Sequence, residues 1–214
     1  MTPEVMAIIM LLTGPNGDPI KTFEEKIVWV KGMKGSERRL AFIRGDLNAT
    51  RENPAAYKKH VIPVIQKGDA YTWFHHGLLD VNTGEHGEDP NFTEPTLEAL
   101  YEATYGVAPS GDFYDAYKLV KSWRDALQKA FWVNKGNPNK SKLVAALNKM
   151  INDPESVAAI EKKVGKYEWR TGADGDAAVR TLKSFITPKA LKTLADFKSK
   201  QLGYNTVYKE ELTK

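Results

Sequence analysis

The chain has 214 residues, 42% hydrophobic and 27% charged, with a formal net charge of +4 and an isoelectric point near 9.0. That composition is ordinary for a globular protein, and the length allows one large domain or two small lobes around a real core. The absence of cysteine excludes disulfides and thiolate metal sites, and the mild, dispersed positive excess fits an acidic small molecule or a weak nucleic-acid contact without proving either.

The first element is VMAIIMLL, residues 5–12. Its lead-in is Met-Thr-Pro-Glu, which lacks the basic start of a signal peptide, and eight residues are too few to span a bilayer. Thr2 as N-cap, Pro3 behind it and Glu4 in the first turn predict a buried helix. A chain opening on such a helix reads as a mature form or a fragment rather than a complete secreted precursor.

KIVWV (26–30) is the first predicted strand. A turn with Gly32 and Gly35 follows, then a helix starting near Gly35-Ser36-Glu37. That helix is expected to end at Arg44 with Gly45 at the C′ position, Asp46 lying in the next turn. Asn53-Pro54 opens another helix by the same device as Thr2-Pro3, and so do Asn137-Pro138, Asp153-Pro154 and Thr187-Pro188. AYTWF (70–74) is a second strand candidate, and a long polar loop over 75–95 leads to a helix near Thr96–Tyr105.

Residues 112–127, DFYDAYKLVKSWRDAL, read as a further helix. KAFWV (129–133) and YEWRT (167–171) complete the strand candidates, with a turn-rich break over 134–141. Apolar spacing puts Leu143, Leu147, Met150 and Ile151 on one helix face, and Val157, Ile160 and Val164 on another. Val179, Leu182 and Ile186, then Leu191, Leu194 and Ala195, mark two more, before a polar tail over 204–214. Strands separated by helices predict an α/β order with a parallel sheet, although so few strands for so much helix imply that part of the sheet is missing.

Three constellations carry chemistry. At the first strand's carboxyl end, free main-chain amides near Gly32, Lys34, Gly35 and Ser36 and a helix N-terminus favour a carboxylate; the bland alternative is a tight strand-to-helix connection with a solvated basic face. No GxGxxG or GxxxxGK[ST] pattern occurs, so a nucleotide site is not expected. His75, His76, Asp80, His86, Glu88 and Asp89 share one loop and resemble zinc or manganese ligands, but without HExxH or helical i, i+4 spacing. A metal-dependent hydrolase using this loop is therefore the alternative function, and a small non-catalytic interaction protein the default. GxSxG is absent, adjacent glutamates are flanked by lysines, and the aromatic residues of KSWRDALQKAFWV fall at core spacing, which argues against a nucleic-acid stacking platform.

VKGMKGSERRLAFIRGD resembles a segment of the solute receptors of tripartite tricarboxylate transporters, the match falling on Gly32, Gly35, Glu37, Leu40, Ala41, Arg44, Gly45 and Asp46. Met33 stands where the family has tyrosine, and Asp46 where it has glutamate. WRDALQKAF, LVAALNKMINDPESVAAIEKKVG and GADGDAAVRTLKSFITPKAL are similar to that family's later helices. The resemblance implies a type II periplasmic-binding-protein-like α/β fold present only in part: the second lobe plus C-terminal return helices. The division implied is 1–130 as ligand-binding lobe with the 75–95 loop, and 131–214 as a mostly helical part returning to it. The activity implied is non-catalytic: a monomeric periplasmic receptor, without cofactor, metal or nucleic acid, that binds a small organic acid and delivers it to transporter membrane subunits. Gly32, Lys34, Gly35 and Ser36 are the expected ligand contacts, with Arg44 either a contact or a structural partner of Asp46 or Glu37.

Overall fold

A computed structural model describes residues 2–80, 83–127 and 130–203, and it is mostly helical. Helix α1 is Pro3–Thr13, α2 Pro19–Lys26 and α3 Gly35–Ile43. Then come α4 (Pro54–Ala56), a π-helical turn (Tyr57–Val61) and α5 (Ile62–Gln66), a two-stranded hairpin of β1 (Leu78–Leu79) and β2 (His86–Gly87), and α6 (Leu97–Tyr105). The chain continues with α7 (Asp112–Leu127), α8 (Lys140–Ile151), α9 (Pro154–Val164), α10 (Gly172–Ser184) and α11 (Pro188–Leu202). No described helix is long and apolar enough to cross a membrane.

The caps explain most of these starts. Asn53 accepts from the Ala56 amide, Asp153 from Ser156, Thr187 from Ala190 and Thr96 from Ala99, each satisfying an amide without a helical partner. Asp18-Pro19, unnoticed in the sequence reading, works in the same way for α2, accepting from Ile20 and Lys21. Helix α3 ends as expected: Gly45 has φ +82°, its amide reaches the Phe42 carbonyl, and the Asp46 amide reaches the Ala41 carbonyl. That pair of bonds is a Schellman ending, which needs the left-handed residue glycine supplies. Between α4 and α5 the Ile62 amide bonds back five residues to Tyr57, next to Pro63, which has no amide to continue a regular ladder.

Helix α1 is the centre of the packing. Met6, Ala7, Met10 and Leu11 face Leu97 and Tyr101 of α6 and Ala116 and Tyr117 of α7. Ile9 faces the other way, into a cluster with Phe23 of α2 and Phe197 and Leu202 of α11. A helix with two apolar faces has no solvent side, which is why the short run VMAIIMLL forms a buried element. Helices α10 and α11 both pack on α7, and α9 lies against α4. Asn91 ties the 86–95 segment to the end of α9, its Oδ1 accepting from the Lys166 amide at 2.9 Å and its Nδ2 donating to the Lys166 carbonyl at 2.9 Å.

The predicted parallel sheet is not present among the described residues. The only sheet there is antiparallel, pairing Leu78 with Gly87 and Leu79 with His86. Residues 27–31, 70–74, 130–133 and 167–171 belong to no strand, and Lys129 lies outside the described residues, as does the polar tail 204–214. The alternation that predicts KIVWV is real: Ile27 and Trp29 pack on the second cluster, while Val28 is 93% exposed. β-propensity, however, measures fit to a pleated surface with a neighbouring strand, and helices are the neighbours here. AYTWF leads only to a single parallel bridge between His75 and Thr96.

Candidate functional site

The carboxylate loop expected from the sequence lies on the surface. Gly32, Lys34 and Ser36 are exposed, Gly32 has φ +86°, and a Cβ built there meets nothing within 4 Å. The Lys34 amide is taken by Glu37 Oε2 at 2.8 Å and its carbonyl by the Arg38 amide at 2.9 Å. Arg44 pairs with Asp46 Oδ2 at 2.7 Å, the structural role that was one of its two readings. The neighbouring basic residues are structural as well. Arg38 donates to Thr50 Oγ1 and the Arg51 carbonyl, and Arg39 pairs with Glu52 at 2.8 Å, so they fasten α3 to the 50–52 segment.

The histidine-rich loop is folded around the β1–β2 hairpin, and its histidines diverge. The Gly77 amide donates to His75 Nδ1 at 3.0 Å, which makes Nδ1 the acceptor and leaves Nε2 to donate to Glu88 at 3.2 Å. His76 Nδ1 lies 2.8 Å from the Tyr117 hydroxyl, and His86 Nε2 lies 3.3 Å from Ser122 Oγ. Among the described residues no group of three or more metal-ligating side chains could hold an ion. The hydrolase alternative thus lacks its metal cluster there.

Two of these histidines instead meet a polar face of α7 inside the molecule. Tyr114, Tyr117, Lys118, Lys121, Ser122 and Asp125 recur at three- and four-residue intervals, so they share one side of that helix. Tyr117, Lys121 and Ser122 are completely buried. Lys121 Nζ sits 3.0 Å from Asp125 Oδ2, a carboxylate about one quarter exposed (26%). Burial lowers the Lys121 pKa and raises that of Asp125, each opposed chiefly by the other's charge. Below this layer Glu4 joins α1 to Arg124 and Arg51. Burial alone would raise its carboxyl, but the two guanidinium groups outweigh it and hold it below the usual range.

A cavity of about 350 Å³ opens over this face. Gly84, Glu85 and His86 of the hairpin, Glu98 of α6, Tyr114 and Lys118 of α7 and Phe185 line it. The Lys118 ammonium lies 4.9 Å from the Tyr114 ring centre and 3.1 Å from Asp115 Oδ1. The Tyr114 hydroxyl donates to Glu98 Oε1 at 3.2 Å, whereas Glu98 Oε2 is buried and has no hydrogen-bond partner among the described residues. Burial raises the Glu98 pKa against the pull of its own backbone amide, Lys121, Tyr114 and His75. His86 is pushed down to about 3, first by burial and then by Lys121, His76 and Lys118. The wall therefore presents a neutral imidazole, an ammonium and a carboxyl that resists ionisation.

Ser122, His86 and Asp125 do not form a nucleophilic relay. Both neighbours address the same ring nitrogen, with Asp125 Oδ2 4.0 Å from His86 Nε2, and the serine is buried. The arrangement suits holding a polar molecule. Comparison with protein-family models, curated proteins and solved structures finds no match to the chain.

His76 is also pushed down to about 3, mainly by burial, although Glu4 pulls the other way. An unfolded histidine titrates near 6.5, so below that pH the unfolded chain binds protons that native His76 and His86 refuse. Their contribution is complete above pH 6.5 and is lost as pH falls towards 3, by about 1.4 kcal/mol per pH unit for each ring. The carboxyls of Glu98 and Asp125, raised in the native state, act with the opposite sign. The histidine effect is therefore read between pH 6.5 and 5 as the difference between wild type and His86→Gln. Urea unfolding is expected to show stability falling across that interval, and the fall should be shallower in His86→Gln.

Proposed function

We propose that the protein is a non-catalytic receptor for a small organic carboxylate, bound in the cavity between the hairpin, α6 and α7. The observation that carries this reading is the wall itself: Lys118 lines a cavity of about 350 Å³, and Lys121 is buried on the next turn of the same helix. That volume suits a small metabolite, and Lys118, although paired with Asp115 and sharing the wall with Glu85 and Glu98, is the group there that attracts an anion. Tyr114 and Glu98 supply the polar groups that orient it, and Phe185 an apolar side. The resemblance of residues 30–46 and of the later helices to tripartite tricarboxylate transporter receptors supports the same ligand class. In this reading the receptor is a periplasmic monomer handing its ligand to membrane subunits.

Thermal denaturation with succinate and with citrate tests the reading. A carboxylate at a hundred times its Kd is expected to add about 2.7 kcal/mol of stability. Lys118→Met should abolish the shift while lowering the unliganded melting curve only slightly, because Lys118 makes a partly exposed pair with Asp115 and a contact over the Tyr114 ring. No shift with any di- or tricarboxylate would remove the reading.

A further inference from the structure

Residues 131–143 project from the body of the molecule: every one is exposed except Asn137, which is half-buried. The segment begins with three consecutive apolar side chains. Phe131 is 75% exposed, Trp132 is 73% exposed, and Val133 is exposed as well. Their spacing in KSWRDALQKAFWV predicts core positions, but α7 ends at Leu127 and they lie beyond it, in neither helix nor strand. Single exposed apolar residues are ordinary, whereas a contiguous apolar patch with two aromatic rings marks a binding surface.

The charge next to this patch is one-sided. Residues 126–152 hold five lysines and no Asp, Glu or Arg, a net +5 against +4 for the whole chain, so the other 187 residues together carry −1. The positive excess is therefore concentrated here rather than dispersed. Two successive turns fold the lysines back beside the apolar run. The Asn137 amide bonds the Asn134 carbonyl at 3.0 Å, with Gly136 at φ +78°, and the Lys140 amide bonds the Asn137 carbonyl at 3.1 Å. Each such turn holds its ends within about 7 Å, so Lys135 and the exposed Lys140 and Lys142 at the start of α8 stay close to Val133.

We propose that this segment docks the protein on the surface of an anionic lipid bilayer: Phe131, Trp132 and Val133 enter the interfacial zone, and Lys135, Lys140 and Lys142 meet the headgroup phosphates. Aromatic side chains favour the headgroup level, and lysines beside them are drawn by the negative surface potential. A bilayer accepts a protruding apolar wedge without a complementary pocket, which a protein partner would have to supply. A single-stranded nucleic acid is a poorer fit, because Val133 has no face for a base to stack on and every nearby cation is a lysine rather than an arginine. No described helix is long and apolar enough to cross a membrane, so the attachment is peripheral. It does not depend on the cavity beside α7.

Co-sedimentation of the full chain with vesicles tests this, comparing phosphatidylcholine alone with phosphatidylcholine containing one-third phosphatidylglycerol. Wild type is expected to bind the anionic vesicles at least about tenfold more tightly, and to be released by high salt. Lys135→Gln, Lys140→Gln, Lys142→Gln together should weaken binding by about fivefold per lysine, roughly a hundredfold in all. Phe131→Ser, Trp132→Ser together should weaken it by roughly tenfold or more. Both variants change exposed side chains only, so their melting curves should match wild type and the losses report on the surface. Absence of binding to anionic vesicles, equal binding to both vesicle types, or a loss in fewer than both variants overturns the proposal. So does wild type that ignores vesicles but self-associates, or binds an oligothymidylate, through Phe131 and Trp132: the surface would then belong to a second copy or to nucleic acid.

Discussion

Lys121→Met is expected to destabilise the fold by roughly 3 kcal/mol, although the methionine fills nearly the same space. Lys121 is completely buried and its ammonium lies 3.0 Å from Asp125 Oδ2. Removing it leaves Asp125 and nearby Glu98 without their compensating charge, and breaking one side of a buried pair costs about 3–5 kcal/mol. The lower end applies because Asp125 retains some solvent contact. Asp125→Leu should also cost stability, since it leaves the buried ammonium without its partner. The double variant Lys121→Met, Asp125→Leu should recover much of the loss, because a pair replaced by apolar groups of similar volume is often neutral or better. Chemical denaturation of the four proteins gives the cycle. Additive losses would show that the two side chains act independently.

Phe197→Ala should cost about 3–5 kcal/mol, the range for truncating a core aromatic residue. Phe197 is 2% exposed and packs edge-on against Phe23 at 5.2 Å and at a tilt against Phe113 at 5.5 Å. It lies where α1, α2, α7 and α11 converge, so the cavity left behind is walled by four helices and collapses poorly. Phe131→Ala is the control, since Phe131 is 75% exposed and its loss should fall within about 0.5 kcal/mol. A urea midpoint for Phe197→Ala close to that of Phe131→Ala would contradict the packing described for α11.

Helix boundaries were legible where a local signal set them, with one exception: Asn137-Pro138 lies in a turn, Asn137 Oδ1 accepting from the Asn139 amide, and α8 starts only at Lys140. Capping residues before proline placed α1, α4, α9 and α11, and Gly45 placed the end of α3, because these devices act over three or four residues. The strands were misread for the opposite reason. Trp29 and its β-branched neighbours alternate as a strand does, but forming one depends on a partner far along the chain, which no local pattern specifies. The cavity was hidden by the same limitation. Residues 112–127 read as a helix from sequence, yet the burial of Lys121 and Ser122 depends on the elements packed over α7, which the helix itself does not specify. Three- and four-residue recurrence of Tyr114, Tyr117, Lys118, Lys121 and Asp125 was the available signal, a polar stripe on a helix whose other residues are also core formers. The Gly32–Ser36 loop, by contrast, has the composition of an anion site, but it lies on the surface and Glu37 takes the Lys34 amide.

Backbone amide NMR during a succinate titration addresses the location of binding directly. The largest shifts should fall on Gly84, Glu85 and His86, on Glu98 and on the 114–118 turn of α7, with residues 32–36 unmoved. Shifts centred on Gly32–Ser36, or no saturable shifts at all, would contradict a carboxylate site between the hairpin and α7.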